Sequence, residues 1–289
     1  ATPMFASIVI GTTLIEAAAD HHCTSLLPEV VSGTRNLAFA CDEGLRYNPA
    51  ATATTLANGL LQGEKSFVIN GAGATDFLVL ARTKAGSSGT DGLSLILVPK
   101  ETAGVTVTTL HSMDGHSFAR VNFEQVVVDD SQIVGPRDSA WVFVGPALDR
   151  ATLALSAEML GGARELLDRT LAYLNDREQF DVKIGTFQAL QHSCSQLFCQ
   201  LELAQSVTLK GLSAIDNGQQ NIAKLASHAK VLASDCYQKM SNEAVQMHGG
   251  MGITDEVDIG LFLKRARVCN QILGDSSFHR ERFATLCGY

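Results

Sequence analysis

The amino-acid sequence predicts an α+β protein in three parts: a helical remnant over residues 1–35, a middle antiparallel β-domain over 36–135 and a C-terminal four-helix bundle over 136–289. Two changes of texture and one long periodicity carry that expectation. From about Asn36 the chain breaks into short runs rich in Val, Ile, Thr and Phe, separated by Gly-rich turns such as Gly71-Ala-Gly73 and Gly86-Ser-Ser-Gly89. That is the pattern of strands joined by tight connections. From Ser139 onward such turns cease, and Leu153, Ala157, Leu160, Leu167, Leu171 and Leu174 recur at steps of three, four and seven. This spacing places one apolar stripe along a long helix.

Each element follows from its own pattern. In residues 1–35, Met4, Ile8, Leu14, Ile15 and Ala18 share one α-helical face, and the stretch 28–33, from proline to glycine, closes the segment. The β runs are 60–70, 77–82, 93–99, 105–110 and 119–128, and their even spacing argues for a sandwich or barrel rather than βαβ units. Further apolar stripes cover 186–215 and 219–247, and a shorter pair covers 259–272 and 277–286. Long amphipathic helices joined by short loops pack as a bundle, and the width of some stripes implies a second buried face, hence an oligomer.

Composition excludes several classes. The 289 residues are 46% hydrophobic and 18% charged, enough apolar material for a sizeable core and too much for a disordered chain. No run of about 18 apolar residues is present to span a membrane. Residues 1–20 hold no Lys or Arg, which argues against a secretory signal, and the chain starts at Ala1 rather than Met, as a piece lacking an N-terminal part would. The net charge of −8, without a basic run, argues against nucleic acid, whose binding requires many neutralised phosphates. Seven Cys without a CxxC pair point to buried thiols in a reducing cytoplasm rather than to a metal or disulfide framework.

Three motifs stand out. Gly71-x-Gly73-x-x-Asp76 has part of a dinucleotide spacing, but it leads into a strand, so it reads as a turn. Neither GxSxG nor HExxH is present. Arg177-Glu-Gln-Phe180, followed by Phe187-Gln188, lies between two long helices. A guanidinium there can grip a diphosphate by two parallel N–H groups, although an exposed Arg beside a core Phe is the ordinary reading. Gln246-Met-His-Gly249-Gly250-Met-Gly252 ends the next long helix. Paired glycines let backbone approach a ligand closely, although a glycine C-cap is the commoner meaning.

Taken in order, these two motifs resemble those of the acyl-CoA dehydrogenase family. Gly63-Glu-Lys65-Ser-Phe67-Val-Ile-Asn70-Gly71 is similar to the family's G-x-K-x-[FW]-I-[TS]-N-G strand, and Leu26-Leu-Pro28-x4-Gly33 and Leu160-Gly161-Gly-Ala163 match further landmarks. The resemblance covers nearly the whole chain. It implies the fold already read from composition, with the first domain reduced to its last helix or two. It also implies 2,3-desaturation of an acyl-CoA thioester using FAD: a carboxylate takes the α-proton and the β-hydrogen leaves as hydride to the flavin. By the same resemblance, Arg177 and Phe180 contact the adenine and pyrophosphate of an FAD shared with a neighbouring subunit, with Gln246, Gly249 and Gly250 lining the same region. Cys41 and Phe67 lie against the isoalloxazine. An electron-transfer protein accepts the electrons.

The departures from the family pattern matter equally. The family's Glu in I-Y-E-G-T-x-x-I-Q-R falls on Leu273 of Gln271-Ile-Leu273-Gly274-Asp275-Ser-Ser-Phe-His279-Arg280, and leucine takes no proton. A minority of members carry the base on the first long bundle helix. There the alignment gives Ala151, with Asp149 two residues away, ordinarily a solvated helix-face carboxylate. Cys41-Asp42-Glu43-Gly44 stands for the T-E-P-x-x-G-S-D loop, Ile69 for a hydroxyl residue that bonds the flavin, and Asp181 for the Gly after Phe180. The resulting expectation is a chain paired with an unlike homologous subunit that holds the base. The Gly274-Asp275…His279-Arg280 ending resembles that of members acting on bulky or steroid-derived CoA thioesters, some of them heterotetramers. The alternatives are a homotetramer using Asp149 and a scaffold without FAD.

Overall fold

The computed structural model describes residues 4–19 and 24–289. It divides into two compact units, Ala1–Ala151 and Thr152–Tyr289. The first opens with a wide π-helical stretch, Met4–Thr12, followed by α1 (Thr13–Ala18) and α2 (Leu27–Ser32). The wide winding moves the buried face. Ala6, Ser7, Ile10 and Gly11 are inside, whereas Met4 and Ile8, expected on the inner face, are 63% and 37% exposed. A π-turn closes on i→i+5, so a stripe counted at α-helical spacing rotates away from the core. Leu14 and Ile15 sit inside as expected. Residues 20–23 of the expected helical segment, Cys23 included, lie outside the described residues.

The strands are β1 (Leu37–Ala40), β2 (Thr55–Ala57), β3 (Leu60–Ile69), β4 (Asp76–Arg82), β5 (Leu93–Pro99), β6 (Val105–His111), β7 (Ser117–Val127) and β8 (Ile133–Val134). They form one sheet in the order β6-β7-β3-β2-β4-β5-β8, with β1 joined to β4. Pairing is antiparallel, as expected, except where β1 and β2 run parallel to β4. Those two strands have four and three residues, too few for an alternation to be read. Gly71–Gly73 forms the tight turn into β4. The core gathers Leu61, Val79, Ile96, Val121 and Val126 around Phe77 and Phe123, whose rings meet edge to face at 6.5 Å. That geometry suits the aromatic quadrupole.

The second unit is helical. Helix α3 (Trp141–Asp176) contributes its residues from Thr152 onward. A two-residue hairpin follows, β9 (Glu178–Gln179) with β10 (Val182–Lys183), and then α4 (Gln188–Asp216), α5 (Ile222–His248), α6 (Ile259–Gln271) and α7 (Ser276–Cys287). The buried stripe of α4 runs Cys194, Leu197, Leu201, Ala204, Thr208, Gly211 and Ala214, the spacing of one helix face. At Gly211 a Cβ would stand 2.3 Å from Leu153 Cδ2, so only hydrogen lets α4 approach α3 this closely. No helix among the described residues is long and apolar enough to cross a membrane. The six described cysteines form no disulfide with one another.

Candidate functional site

In the helical unit, the backbone of Arg177 is fixed at both ends. Its N–H donates to the Tyr173 carbonyl at 2.8 Å, and its own carbonyl accepts from Ile184 N–H at 2.9 Å. Its side chain is exposed. The six other arginines of this unit (164, 169, 265, 267, 280 and 282) all make a side-chain hydrogen bond or ion pair; Arg177 has none recorded among the described residues. The hairpin then turns on Phe180 and Asp181, both left-handed at φ 54° and 62°. Two successive positive φ values mark the tight turn that suits strand twist, and Gly or Asn ordinarily fills it. Phe180 is 86% exposed and meets the half-exposed Phe187 edge to face at 6.1 Å. An aromatic ring held in water on a strained backbone is a functional pointer rather than a packing solution.

The end of α5 belongs to the same neighbourhood. Tyr173, one turn before Arg177, stacks on His248 with ring centres 4.3 Å apart and planes at 22°, and its hydroxyl donates to the His248 carbonyl at 3.3 Å. Gly249 follows at φ 59°, and a Cβ at Gly249 or Gly250 would meet nothing within 4 Å. Gln246 is exposed. Arg177 and Gly249, far apart in sequence, are thus each tied to one Tyr–His contact, the first through the Tyr173 carbonyl and the second as the residue after His248. A free guanidinium, an exposed ring and open backbone suit a diphosphate carrying a flat base.

In the β unit, one buried ammonium ties Cys41 to Glu43. Lys65, 0% exposed, donates to the Cys41 carbonyl at 3.1 Å and to Glu43 Oε1 at 2.6 Å, and Glu43 also accepts from Ala53 and Thr54 N–H. Strand β3 slips register between Lys65 and Val68, and there Phe67 turns outward at φ 51° with 47% exposure. A bulge that re-aims a side chain is common beside active sites. Burial pushes the Cys41 thiol well up, so it stays a neutral SH. Burial acts against Glu43 too, but Lys65 and the two backbone N–H groups hold its carboxyl below the usual range. Burial lowers Lys65.

Asp42 carries the cost of this arrangement. Burial raises its carboxyl to about 6 against an offsetting pull from Lys65, and its Oδ1 is buried without a hydrogen-bond partner. The folded chain thus binds a proton there that the unfolded chain releases near 4. The proton-linked stability is full below that value and is lost as pH rises through about 6. Asp42→Asn is expected to raise stability at pH 7.5 by about 1–3 kcal/mol and to change it little at pH 4. Urea unfolding at the two pH values is the test, and an equal effect at both would contradict the assignment.

The two positions considered for a base have plain surroundings. Leu273 is buried and left-handed, at φ 58°, in the turn between α6 and α7. Lys230 of α5, 0% exposed, donates to the carbonyls of Cys269 (2.7 Å), Asn270 (3.1 Å) and Gly274 (3.1 Å). His279 Nε2 donates to the Leu273 carbonyl at 2.9 Å, and Asp275 caps α7 through Phe278 N–H. Burial brings Lys230 down to about 7 and His279 down to about 4. Asp149 is 7% exposed and engaged within the structure, rather than solvated on a helix face. No His, Cys, Asp or Glu cluster suited to a metal occurs among the described residues. Tyr173, His248 and Lys230 escaped the sequence reading. The only available signal for Lys230 was its place in the small-residue stripe Ala226, Ala229, Ala233.

Comparison with known proteins agrees with this layout. The model for "Acyl-CoA dehydrogenase, C-terminal domain" matches residues 141–285, and that for "Acyl-CoA dehydrogenase, middle domain" matches 42–126. The probable acyl-CoA dehydrogenase YngJ of Bacillus subtilis is 29% identical over 265 residues, covering 89% of this chain and 69% of that protein. The caffeyl-CoA reductase-Etf complex subunit CarC of Acetobacterium woodii is 28% identical over 266 residues, covering 89% of this chain and 70% of that subunit. A solved variant of the Tcur3481-Tcur3483 steroid ACAD superposes with a TM-score of 0.87 at 26% identity, covering 99% of this chain and 76% of that one. With both domain models matched in order around the motifs just described, the chain belongs to the acyl-CoA dehydrogenase family of FAD-dependent oxidoreductases.

Proposed function

We propose that this chain is the accessory subunit of an acyl-CoA dehydrogenase complex: its helical unit completes the FAD site of a homologous partner, and the partner supplies the base. The observation that carries this is an asymmetry between the positions that serve the two ends of the cofactor. Arg177, Phe180, Gln246, Gly249 and Gly250 keep the side chains and open backbone that fit the adenosine diphosphate end of FAD. Positions that serve the reacting end have lost their chemistry: Leu273 cannot take a proton, Ile69 cannot donate to a flavin, and Cys41 is a buried neutral thiol. Asp181, in place of glycine, adds a negative charge beside the phosphate-binding turn.

In this reading Arg177 presents parallel N–H groups to a diphosphate, the Gly249–Gly250 backbone packs against it, and Phe180 shields the adenine from water. Bound FAD supplies the acceptor for the hydride that leaves the acyl β-carbon. Phe67, turned out by its bulge, offers an aromatic face to the flavin ring. The steroid ACAD likeness supports a bulky CoA thioester as substrate, and the Etf-complex relative supports a separate electron-transfer protein as acceptor. Free cysteines accord with a cytoplasmic setting.

The visible absorption spectrum tests the reading. Purified alone, the chain is expected to show no flavin bands; co-expressed with its genomic neighbour, the complex is expected to show them. Stoichiometric flavin in the chain alone would replace this reading with a homo-oligomer and make Asp149→Asn the decisive variant. Flavin in neither sample would leave a scaffold.

A further inference from the structure

The two halves of the dinucleotide site in the helical unit lie at the C-terminal ends of two long helices, α3 and α5, and Tyr173 joins them. Its backbone carbonyl receives Arg177 N–H at 2.8 Å, one helical turn on. Its hydroxyl donates to the carbonyl of His248 at 3.3 Å, and its ring stacks on the His248 ring at 4.3 Å. His248 is the last residue of α5 and the N-cap of the 3₁₀ turn Gly249–Ile253 that follows, so its carbonyl stands at the joint between the helix and the glycine turn. Its own ring is fixed in turn: Nδ1 lies 2.8 Å from the Ala244 carbonyl, which can only accept, so that nitrogen bears the proton. His248 is 5% exposed, whereas Gly249 and Gly250 directly after it are open. Neither aromatic is placed to touch a ligand as Arg177 and the glycines are; both hold the residues that are.

We infer that Tyr173 and His248 are positioning residues that hold Arg177 and Gly249–Gly250 in register for one diphosphate. The inference rests on the reading of this unit as an FAD half-site. A guanidinium fork and a backbone turn act together only when their separation is held to a fraction of an ångström. Without the clasp, the end of α3 and the end of α5 keep their own helical hydrogen bonds but lose their common spacing. The consequence is loss of affinity for the adenosine diphosphate part of FAD without loss of fold.

The test uses the apo-complex of this chain with its partner, titrated with FAD by flavin fluorescence and, in parallel, with ADP as competitor. Tyr173→Leu is expected to raise both dissociation constants by about tenfold or more, the size of one lost hydrogen bond plus one lost ring contact. Tyr173→Phe keeps the stack and is expected to recover part of that loss. Thermal midpoints of the apo-complexes are expected to agree. Arg177→Ala separates the two levels. If Arg177→Ala leaves FAD affinity unchanged, the half-site reading itself fails. If Arg177→Ala weakens FAD and Tyr173→Leu does not, the clasp is overturned while the half-site stands. A fall in the apo thermal midpoint that Tyr173→Phe does not repair, with FAD and ADP affinities unmoved, also overturns it.

Discussion

Arg177→Ala in the assembled complex is expected to strip most of the flavin during gel filtration, with a dissociation constant for FAD raised roughly a hundredfold. The magnitude follows from two charge-assisted hydrogen bonds, each worth about 1.5–3 kcal/mol, less what water recovers at an exposed site. The fold is expected to be indifferent, because the side chain has no recorded partner to lose and its backbone is held by Tyr173 and Ile184. Arg177→Lys is expected to restore only a fraction, since a point charge cannot reproduce a planar fork. The absorbance ratio of flavin to protein in the eluted complex reads the result. Full occupancy in Arg177→Ala would remove the main support for the shared site.

Lys230→Met is expected to be among the most destabilising single changes in the chain. It would leave the carbonyls of Cys269, Asn270 and Gly274 without their donor, at a cost of roughly 3 kcal/mol or more for the three buried acceptors together. The deficit has a pH signature. Burial lowers Lys230 to about 7 in the fold, while the unfolded side chain holds its proton until near 10.4. Between those values the unfolded chain binds more protons, so the wild-type fold gains stability as pH rises. Methionine has no such gain, and the deficit is expected to widen between pH 7 and pH 9.5. Denaturant unfolding at pH 6 and 9.5 measures it, and a deficit that shrinks with pH would contradict the assignment.

What the sequence conveyed and what it withheld have physical reasons. The long stripes of α3, α4 and α5 are legible because a periodicity repeated over many turns averages out local exceptions. The strands of the β-domain are legible from their β-branched runs and glycine turns. The inner face of Met4–Thr12 was misplaced because nothing in MFASIVIGT distinguishes a π-turn from an α-turn. Strands β1 and β2 stayed hidden because their pairing with β4 is made by residues far along the chain. Arg177, Phe180, Gly249 and Gly250 were legible only as members of an ordered set; singly, each has a commoner structural meaning. Lys65 and Lys230 were not legible, since a lysine is normally a surface residue and only tertiary packing makes it an interior one. Tyr173 and His248 look like ordinary amphipathic helix residues until their rings are seen face to face.

The cradle around Lys230 also makes the end of the chain depend on an earlier helix. Helix α6 ends on two carbonyls whose cap is not local: it comes from 39 and 40 residues earlier, on α5. A helix of 13 residues is marginal by itself, and the α6–α7 pair cannot complete its joint until α5 is already in place. During synthesis Lys230 leaves the ribosome before Cys269, Asn270 and Gly274, so the cap is waiting when the helix it closes arrives. The joint between the last two helices is therefore completed by a residue of α5 rather than within an independent hairpin.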